Sequence, residues 1–237
     1  MRNAPKVVIL CGGKGTRAYP LTMDVPKPLL PVGNRPILHH VMAIYANQGF
    51  TDFLLAGGYK VECLRTFAEG VERDHPDWRV DVRDTGEDTN TGGRVFACRD
   101  ALEGTFMVTY GDGLGDVDVN ALLQAHRDHP GAATLTTVPL RSQYGVLDIS
   151  PDGAVKRFIE KPVIEDYWIN AGFFVFDDRV FDTWAGEDLE RDVLPELAAR
   201  EELFVYRHQG FWKSMDTQKE MAEMAAMIRE EHVPWQR

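Results

Sequence analysis

Seven residues near the start of the chain, Cys11-Gly12-Gly13-Lys14-Gly15-Thr16-Arg17, follow directly on the apolar run Val7-Val8-Ile9-Leu10. Lys27 stands ten positions past Arg17, between Pro26 and Pro28. A continuous rather than alternating apolar run reads as a strand buried in a parallel sheet. Three glycines just beyond it leave main-chain N–H groups uncovered and let an anion come close. Lys14, Arg17 and Lys27 add fixed positive charge. The combination reads as a cradle for a triphosphate. It does not meet the Walker pattern, which needs Gly-x4-Gly-Lys-Ser/Thr. The dinucleotide fingerprint Gly-x-Gly-x-x-Gly fits poorly: Ala18 stands at its last place, and no acid about 20 residues on sits at an evident strand end.

Further along, Tyr110-Gly111-Asp112-Gly113 comes straight after the clearest central strand, Phe106-Met107-Val108-Thr109-Tyr110. Ligands of open α/β sheets bind at the carboxyl ends of strands. Asp112 is therefore placed to bind Mg²⁺, which takes oxygen donors and keeps contact with substrate phosphates; an Asp-Gly turn is the plainer alternative. Asp216, just before Thr217, is a natural second carboxylate, or else serves the start of a helix. Spacing along the chain does not bring the two acids together. Asp84-Thr85-Gly86, Thr89 and Thr91-Gly92-Gly93-Arg94 offer hydroxyls and bare amides suited to a base edge or a phosphate, though an ordinary loop has the same look. Glu160-Lys161-Pro162 and Asn170-Ala171-Gly172 offer Lys161 for a second phosphate and Glu160 and Asn170 for hydroxyls, against a plain surface Glu–Lys pair.

These residues need elements to hold them. Strand and helix signals alternate, which points to βαβ units and a parallel sheet. Helices are expected over Ile37–Gln48, Val61–Val71, Arg94–Leu102 and Val119–His129, and strands over Phe53–Ala56, Arg79–Val82, Phe106–Tyr110 and Ala133–Val138. From about residue 144 short strands (Gly145–Ile149, Ala154–Phe158, Gly172–Phe176) suggest a mixed region that continues the same sheet. A helix over about 217–232 carries a Thr217/Glu220 capping box and a Met221, Met224, Met227, Ile228 stripe, read as core packing or a subunit contact.

The 237 residues, 44% hydrophobic and 27% charged, suit one soluble globular domain over 1–237. Within it the chain divides into a half with the glycine loop and Asp112 (1–115), a half with the Lys161 and Asn170 motifs (116–216) and a C-terminal helix and tail (217–237). Cys11, Cys63 and Cys98 are odd in number and lack metal-site spacing, so reduced thiols in the cytoplasm are expected. No apolar stretch approaches the roughly 20 residues of a membrane span, and no secretory signal precedes the first strand. A net charge of −11 argues against nucleic acid or an anionic membrane as partner. Yet the first 40 residues hold six basic side chains against the single acid Asp24, which fits a local pocket for a small polyanion.

Taken in order, these motifs resemble those of the sugar-1-phosphate nucleotidyltransferase family. The opening signature is matched by Cys11–Arg17 and Pro26–Pro28, the metal Asp by Asp112, and the sugar motifs by Glu160–Pro162 and Asn170–Gly172. Asp84–Gly86, Thr91–Arg94, Tyr110–Gly113, Phe211-Trp212 and Met215–Thr217 are similar to the glucose-1-phosphate cytidylyltransferase branch. Tyr19-Pro20-Leu21-Thr22 is instead similar to the thymidylyl and guanylyl branches, and the segment between Val61 and Asp84 is shorter than the cytidylyltransferase branch leads one to expect, lacking an inserted loop before Asp84. Asp166-Tyr167-Trp168 places bulky aromatics beside the sugar motif.

The resemblance implies a Rossmann-like three-layer α/β/α sandwich with a mostly parallel mixed central sheet, of nucleotide-diphospho-sugar transferase type, and a homo-oligomer. It implies CTP and a sugar 1-phosphate, α-D-glucose 1-phosphate first, as partners and Mg²⁺ as cofactor, held by Asp112 and Asp216. Nucleotide contacts fall to Leu10, Cys11, Gly12, Gly13, Lys14, Gly15, Thr16, Arg17, Lys27, Thr89, Gly93, Arg94 and Gly111, and sugar-phosphate contacts to Gly145, Glu160, Lys161 and Asn170. Arg17, Lys27 and Asp112 are the expected catalytic residues. The expected chemistry is in-line attack of the sugar phosphate on the α-phosphorus, with release of pyrophosphate. Thymidylyl, guanylyl or uridylyl transfer, CTP with another sugar, and a catalytically silent nucleotide-sensing relative are the alternatives.

Overall fold

The computed structural model describes residues 4–236, apart from the side chain of Glu165. Met1–Asn3 and Arg237, which the expected domain limits include, lie outside the described residues. The strands of the first half are β1 (Val7–Leu10), β2 (Pro31–Val32), β3 (Arg35–Pro36), β4 (Asp52–Gly57), β5 (Arg79–Asp84), β6 (Thr105–Tyr110) and β7 (Gly113–Gly115). The second half adds β8 (Ala133–Arg141), β9 (Val146–Ile149), β10 (Val155–Ile159), β11 (Val163–Asp177), β12 (Leu203–Arg207) and β13 (Trp212–Ser214). The α-helices are α1 (Ile37–Ala46), α2 (Val61–Asp74), α3 (Thr91–Ala97), α4 (Val119–Arg127), α5 (Leu194–Ala199) and α6 (Gln218–Arg229).

Seven strands make the main sheet, in the order β12-β8-β11-β6-β1-β4-β5. All its pairings are parallel except those of β11, which runs antiparallel to both β6 and β8. Strand alternation divides the apolar side chains between two faces. Val7, Ile9, Phe53, Leu55, Met107 and Phe173 pack under α1, α2, α4 and α6. Val8, Leu10, Leu54, Phe106, Val108, Phe174 and Phe176 pack under α3 and α5. The result is the expected three-layer α/β/α sandwich with a mostly parallel mixed sheet. No helix among the described residues is long and apolar enough to cross a membrane. Cys11, Cys63 and Cys98 are free thiols.

The helix expected over Arg94–Leu102 begins three residues earlier, at Thr91, and gives way to a 3₁₀ turn over Arg99–Ala101. Gly92 and Gly93 read as loop by propensity, but the main chain at Glu187 presses against them: Gly93 N–H donates to Glu187 O at 2.8 Å, and a Cβ on Gly92 would stand 3.0 Å from that same oxygen. Two glycines permit this approach and are carried into the helix by it. The expected strand Gly172–Phe176 is only the end of the 15-residue β11.

The reading that the short strands after 144 continue the main sheet fails for two of them. β9 and β10 pair only with each other, as a two-stranded arm. β8 already occupies the edge of β11 away from β6, so the main sheet offers the hairpin no free edge there. At the C-terminus the capping box forms as read, with Thr217 Oγ1 accepting from Glu220 N and the Glu220 carboxylate accepting from Thr217 N. Met224 is fully buried, and Met221, Met227 and Ile228 pack on the same core.

Candidate active site

A cleft of about 560 Å³ opens at the carboxyl ends of β1 and β6. The glycine loop leaves β1 there. Gly15 adopts φ 61°, and a Cβ on it would meet Lys27 Cβ at 2.8 Å, so the tight turn that brings Lys27 inward requires glycine. Lys27 lies in a 3₁₀ turn between prolines (Lys27–Leu29) and is nearly buried.

Opposite the loop, Asp112 leaves the end of β6 and Asp216 follows β13. β13 pairs antiparallel with β7, Ser214 against Gly113, and Met215 N–H donates to Asp112 O at 2.9 Å. That pairing puts both carboxylates on one cation. Lys27 Nζ lies 2.6 Å from Asp112 and 2.7 Å from Asp216, and Arg17 Nη2 lies 3.1 Å from Asp216. Burial works against the charge on Lys27, but the two carboxylates outweigh it and raise its pKa. The lysine stays protonated at neutral pH. Asp216 is itself fixed, because its N–H donates to the Glu220 carboxylate at 2.7 Å.

Arg94 is 3% exposed, and its guanidinium is spent on the protein. Nη1 donates to Gly57 O (3.0 Å), Thr85 Oγ1 (2.7 Å) and Gly86 O (2.7 Å); Nη2 donates to Gly12 O (3.0 Å) and Glu87 O (3.2 Å). Those acceptors belong to the glycine loop, the end of β4 and the loop after β5. Arg94 thus ties three segments together at the floor of the cleft. Thr89, which donates to Thr85 O at 2.6 Å, lines the wall above it.

Of the residues expected to hold the nucleotide, Leu10, Cys11, Gly12, Gly13, Gly15, Arg17, Lys27, Thr89, Arg94 and Gly111 line the cleft, as do Asp112, Asp216 and Asn170. Lys14, Thr16 and Gly93 do not. Lys14 turns to Asp88 (2.9 Å) and Glu87 (3.0 Å). Gly145, Glu160 and Lys161 sit on the β9–β10 arm, outside the cleft wall. Burial pushes the Cys11 thiol well up, with Asp112 adding to it, so Cys11 is a wall of the cleft in its protonated form and not a nucleophile.

Sequence reading missed Glu190, which enters from the turn ahead of α5. Its carboxylate takes hydrogen bonds from the Tyr110 hydroxyl and from Thr91 Oγ1 (2.7 Å), and Asn170 Nδ2 donates to the Tyr110 hydroxyl at 3.1 Å. The one local signal was Asp188, whose side chain caps this turn by accepting from Glu190 N and Arg191 N. Trp212, held by its Nε1–H on Ala171 O at 2.8 Å, closes the same side.

Asp112 and Asp216 present hard oxygen donors to one shared cation position, and no group of three or more His, Cys, Asp or Glu gathers among the described residues. Such a pair fits a Mg²⁺ ion that completes its shell with water and substrate phosphates.

Known proteins resemble this chain along almost its whole length. Residues 6–231 match the family model described as Nucleotidyl transferase. A protein of Bacillus subtilis (strain 168) named "Probable glucose-1-phosphate cytidylyltransferase" is 38% identical over 252 residues, covering 97% of this chain and 98% of that one. The glucose-1-phosphate cytidylyltransferase of Salmonella typhi is 34% identical over 258 residues, again covering 97% and 98%. Among solved structures, HddC from Yersinia pseudotuberculosis superposes with a TM-score of 0.73 at 22% identity, over 95% of this chain and 100% of that one, a likeness of fold.

Proposed function

The chain belongs to the sugar-1-phosphate nucleotidyltransferase family, and from that premise we propose that it transfers CMP from CTP to α-D-glucose 1-phosphate, releasing pyrophosphate. Nucleotidyl transfer to a sugar 1-phosphate is the activity of the family; the base, the sugar and Mg²⁺ are our reading. The observation that carries it is the convergence of Lys27, Arg17, Asp112 and Asp216 across from an uncovered glycine loop.

A phosphate monoester has its second pKa near about 6 and is largely dianionic at neutral pH. The attacking oxygen needs no side chain to remove a proton. Catalysis is then positioning and charge neutralisation. The main chain of Gly12, Gly13 and Gly15 receives the triphosphate, and Arg17 holds the leaving pyrophosphate. Lys27, kept charged by its two carboxylates, faces the transferring phosphorus. Asp112 and Asp216 hold Mg²⁺, which when bound neutralises charge on the phosphates. Thr89 meets the base, while Arg94 shapes the floor from behind. Asn170 and Glu190 receive sugar hydroxyls. Glu160 and Lys161 reach the sugar phosphate only once the arm turns toward the cleft. On this reading 1–115 binds nucleotide and 116–216 binds sugar phosphate within one domain, acting in the cytoplasm.

The arm also suits the homo-oligomer expected of the family. Ile149, Val155 and Phe158 are 65, 56 and 61% exposed on a two-stranded sheet that has no core of its own. Analytical ultracentrifugation of the Phe158→Asp variant should give a smaller species than the wild type.

Pyrophosphate release is the decisive assay, run with four nucleoside triphosphates against several sugar 1-phosphates, with Mg²⁺ and with a chelator. CTP with glucose 1-phosphate should lead, and chelation should abolish turnover. Comparable rates with UTP, dTTP or GTP would instead favour the thymidylyl or guanylyl reading that Tyr19–Thr22 suggests. Silence with every pair would revive a non-catalytic relative.

A further inference from the structure

A second cavity, of about 450 Å³, shares no lining residue with the cleft. Arg141 and Ser142 reach it from the end of β8, Lys161 from the foot of the arm, Lys213 from β13, and Thr217, Lys219, Glu220 and Glu223 from the start of α6. Strand alternation separates the two spaces. Trp212 and Ser214 face the cleft, so Lys213 between them faces the other way.

Four cations meet two carboxylates here, in a protein whose net charge is −11. Both carboxylates are already engaged. Glu220 accepts from Asp216 N–H (2.7 Å) and Thr217 N–H (2.8 Å), and Glu223 takes Lys213 Nζ at 2.5 Å with Lys219 Nζ at 3.9 Å. Arg141 donates to Lys161 O at a long 3.5 Å, and Lys161 Nζ stands 4.0 Å from Glu160. Positive charge is left over, facing a space that can take a phosphate ester. A fork of guanidinium donors beside lysine point charges is the donor set that phosphate oxygens select.

We propose that this cavity is a second anion site, which binds a phosphate-bearing ligand through Arg141, Lys213 and Lys219 with Lys161 at its mouth. The binding claim stands apart from the transferase reading. One consequence rests on that reading: an anion held here keeps Lys161 away from the cleft and so competes with the sugar phosphate for it.

Calorimetric titration of the full chain with inorganic phosphate, and separately with glucose 1-phosphate, tests the site in three proteins: wild type, Arg17→Ala, and the double variant Arg141→Ala/Lys219→Ala. A phosphate-binding event that persists in Arg17→Ala and weakens about tenfold or more in the double variant, its circular dichroism unchanged, supports the proposal. Binding of inorganic phosphate alone marks the free anion as the ligand, and parallel weakening with glucose 1-phosphate marks the ester. An event lost in Arg17→Ala and intact in the double variant places phosphate in the cleft alone and overturns the proposal. No phosphate binding by the wild type overturns it as well. Neither result bears on nucleotidyl transfer, which is read by pyrophosphate release.

Discussion

The ammonium of Lys27 sits 2.7 Å from the carboxylate of Asp216, although 189 positions of chain separate them. With Asp112 on its other side, the lysine links the glycine loop to the two acids across the cleft. The four side chains balance one another's charge, so on the proposed function the groups that would meet the phosphates are already in place.

Lys27→Ala should lower kcat by about 10²–10³, the usual cost of removing one preorganised electrostatic group. The same change leaves Asp112 without its cation and Asp216 with Arg17 alone, so the variant should also melt lower, and added Mg²⁺ should recover part of that loss. Pyrophosphate release and thermal melts with and without Mg²⁺ check both. Turnover within a few-fold of wild type would remove Lys27 from the mechanism.

Arg94→Ala should cost on the order of 3 kcal/mol of stability, because several main-chain oxygens lose their donor inside the protein. Urea denaturation reads that loss. Nucleotide affinity should fall with it, since Gly12 and Gly86 are no longer tied together. A variant as stable as wild type but blind to nucleotide would make Arg94 a direct contact instead.

Two neighbouring glycines give a contrast that needs no substrate. A Cβ on Gly12 would land 2.0 Å from Arg94 Nη1, whereas a Cβ on Gly13 meets nothing within 4 Å. Gly12→Ala should destabilise by about 1–3 kcal/mol through overpacking, and Gly13→Ala by under about 0.5 kcal/mol. Equal melting temperatures for the two variants would contradict the packing at this loop.

Acid should weaken the contact between α1 and the end of α2. Burial, helped by Arg35, lowers His39 to about 4 from its ordinary 6.5, and His39 Nε2 lies 3.1 Å from His75 Nε2. The fold favours neutral His39. Its contribution is therefore complete above pH 6.5 and is lost as pH falls toward 4. Burial shifts His40 and His129 in the same direction. Melting temperature against pH should fall less steeply between 6.5 and 4 for His39→Gln than for wild type, and parallel curves would refute this assignment.

Much of the fold was legible because its signals are local. Val7–Leu10 is apolar without a break, so it reads as a buried strand and is one. The Thr217/Glu220 spacing announces a capping box and makes one. Arg94 shows where such reading stops. Its motif was recognisable, but whether its guanidinium points at a ligand or at Gly57, Gly86 and Gly12 depends on how three segments pack. Glu190 left almost no trace, since a single Glu in a charged stretch becomes a cleft residue only through the turn that aims it at Tyr110.

By itself the sequence determined the buried strand and the glycine turn that follows it, both set by residue type and near-neighbour spacing; of the three cations it offered there, Arg17 and Lys27 line the cleft and Lys14 does not. The chain's alternating strand and helix periods also pointed to βαβ units on a parallel sheet, because those patterns are written into each segment, while the sandwich itself was what the family resemblance implied. Only the tertiary structure decided that Asp112 and Asp216 share one lysine. Their meeting follows from β13 pairing with β7, and a strand register between distant segments is chosen by the packing of the whole sheet rather than by either strand alone.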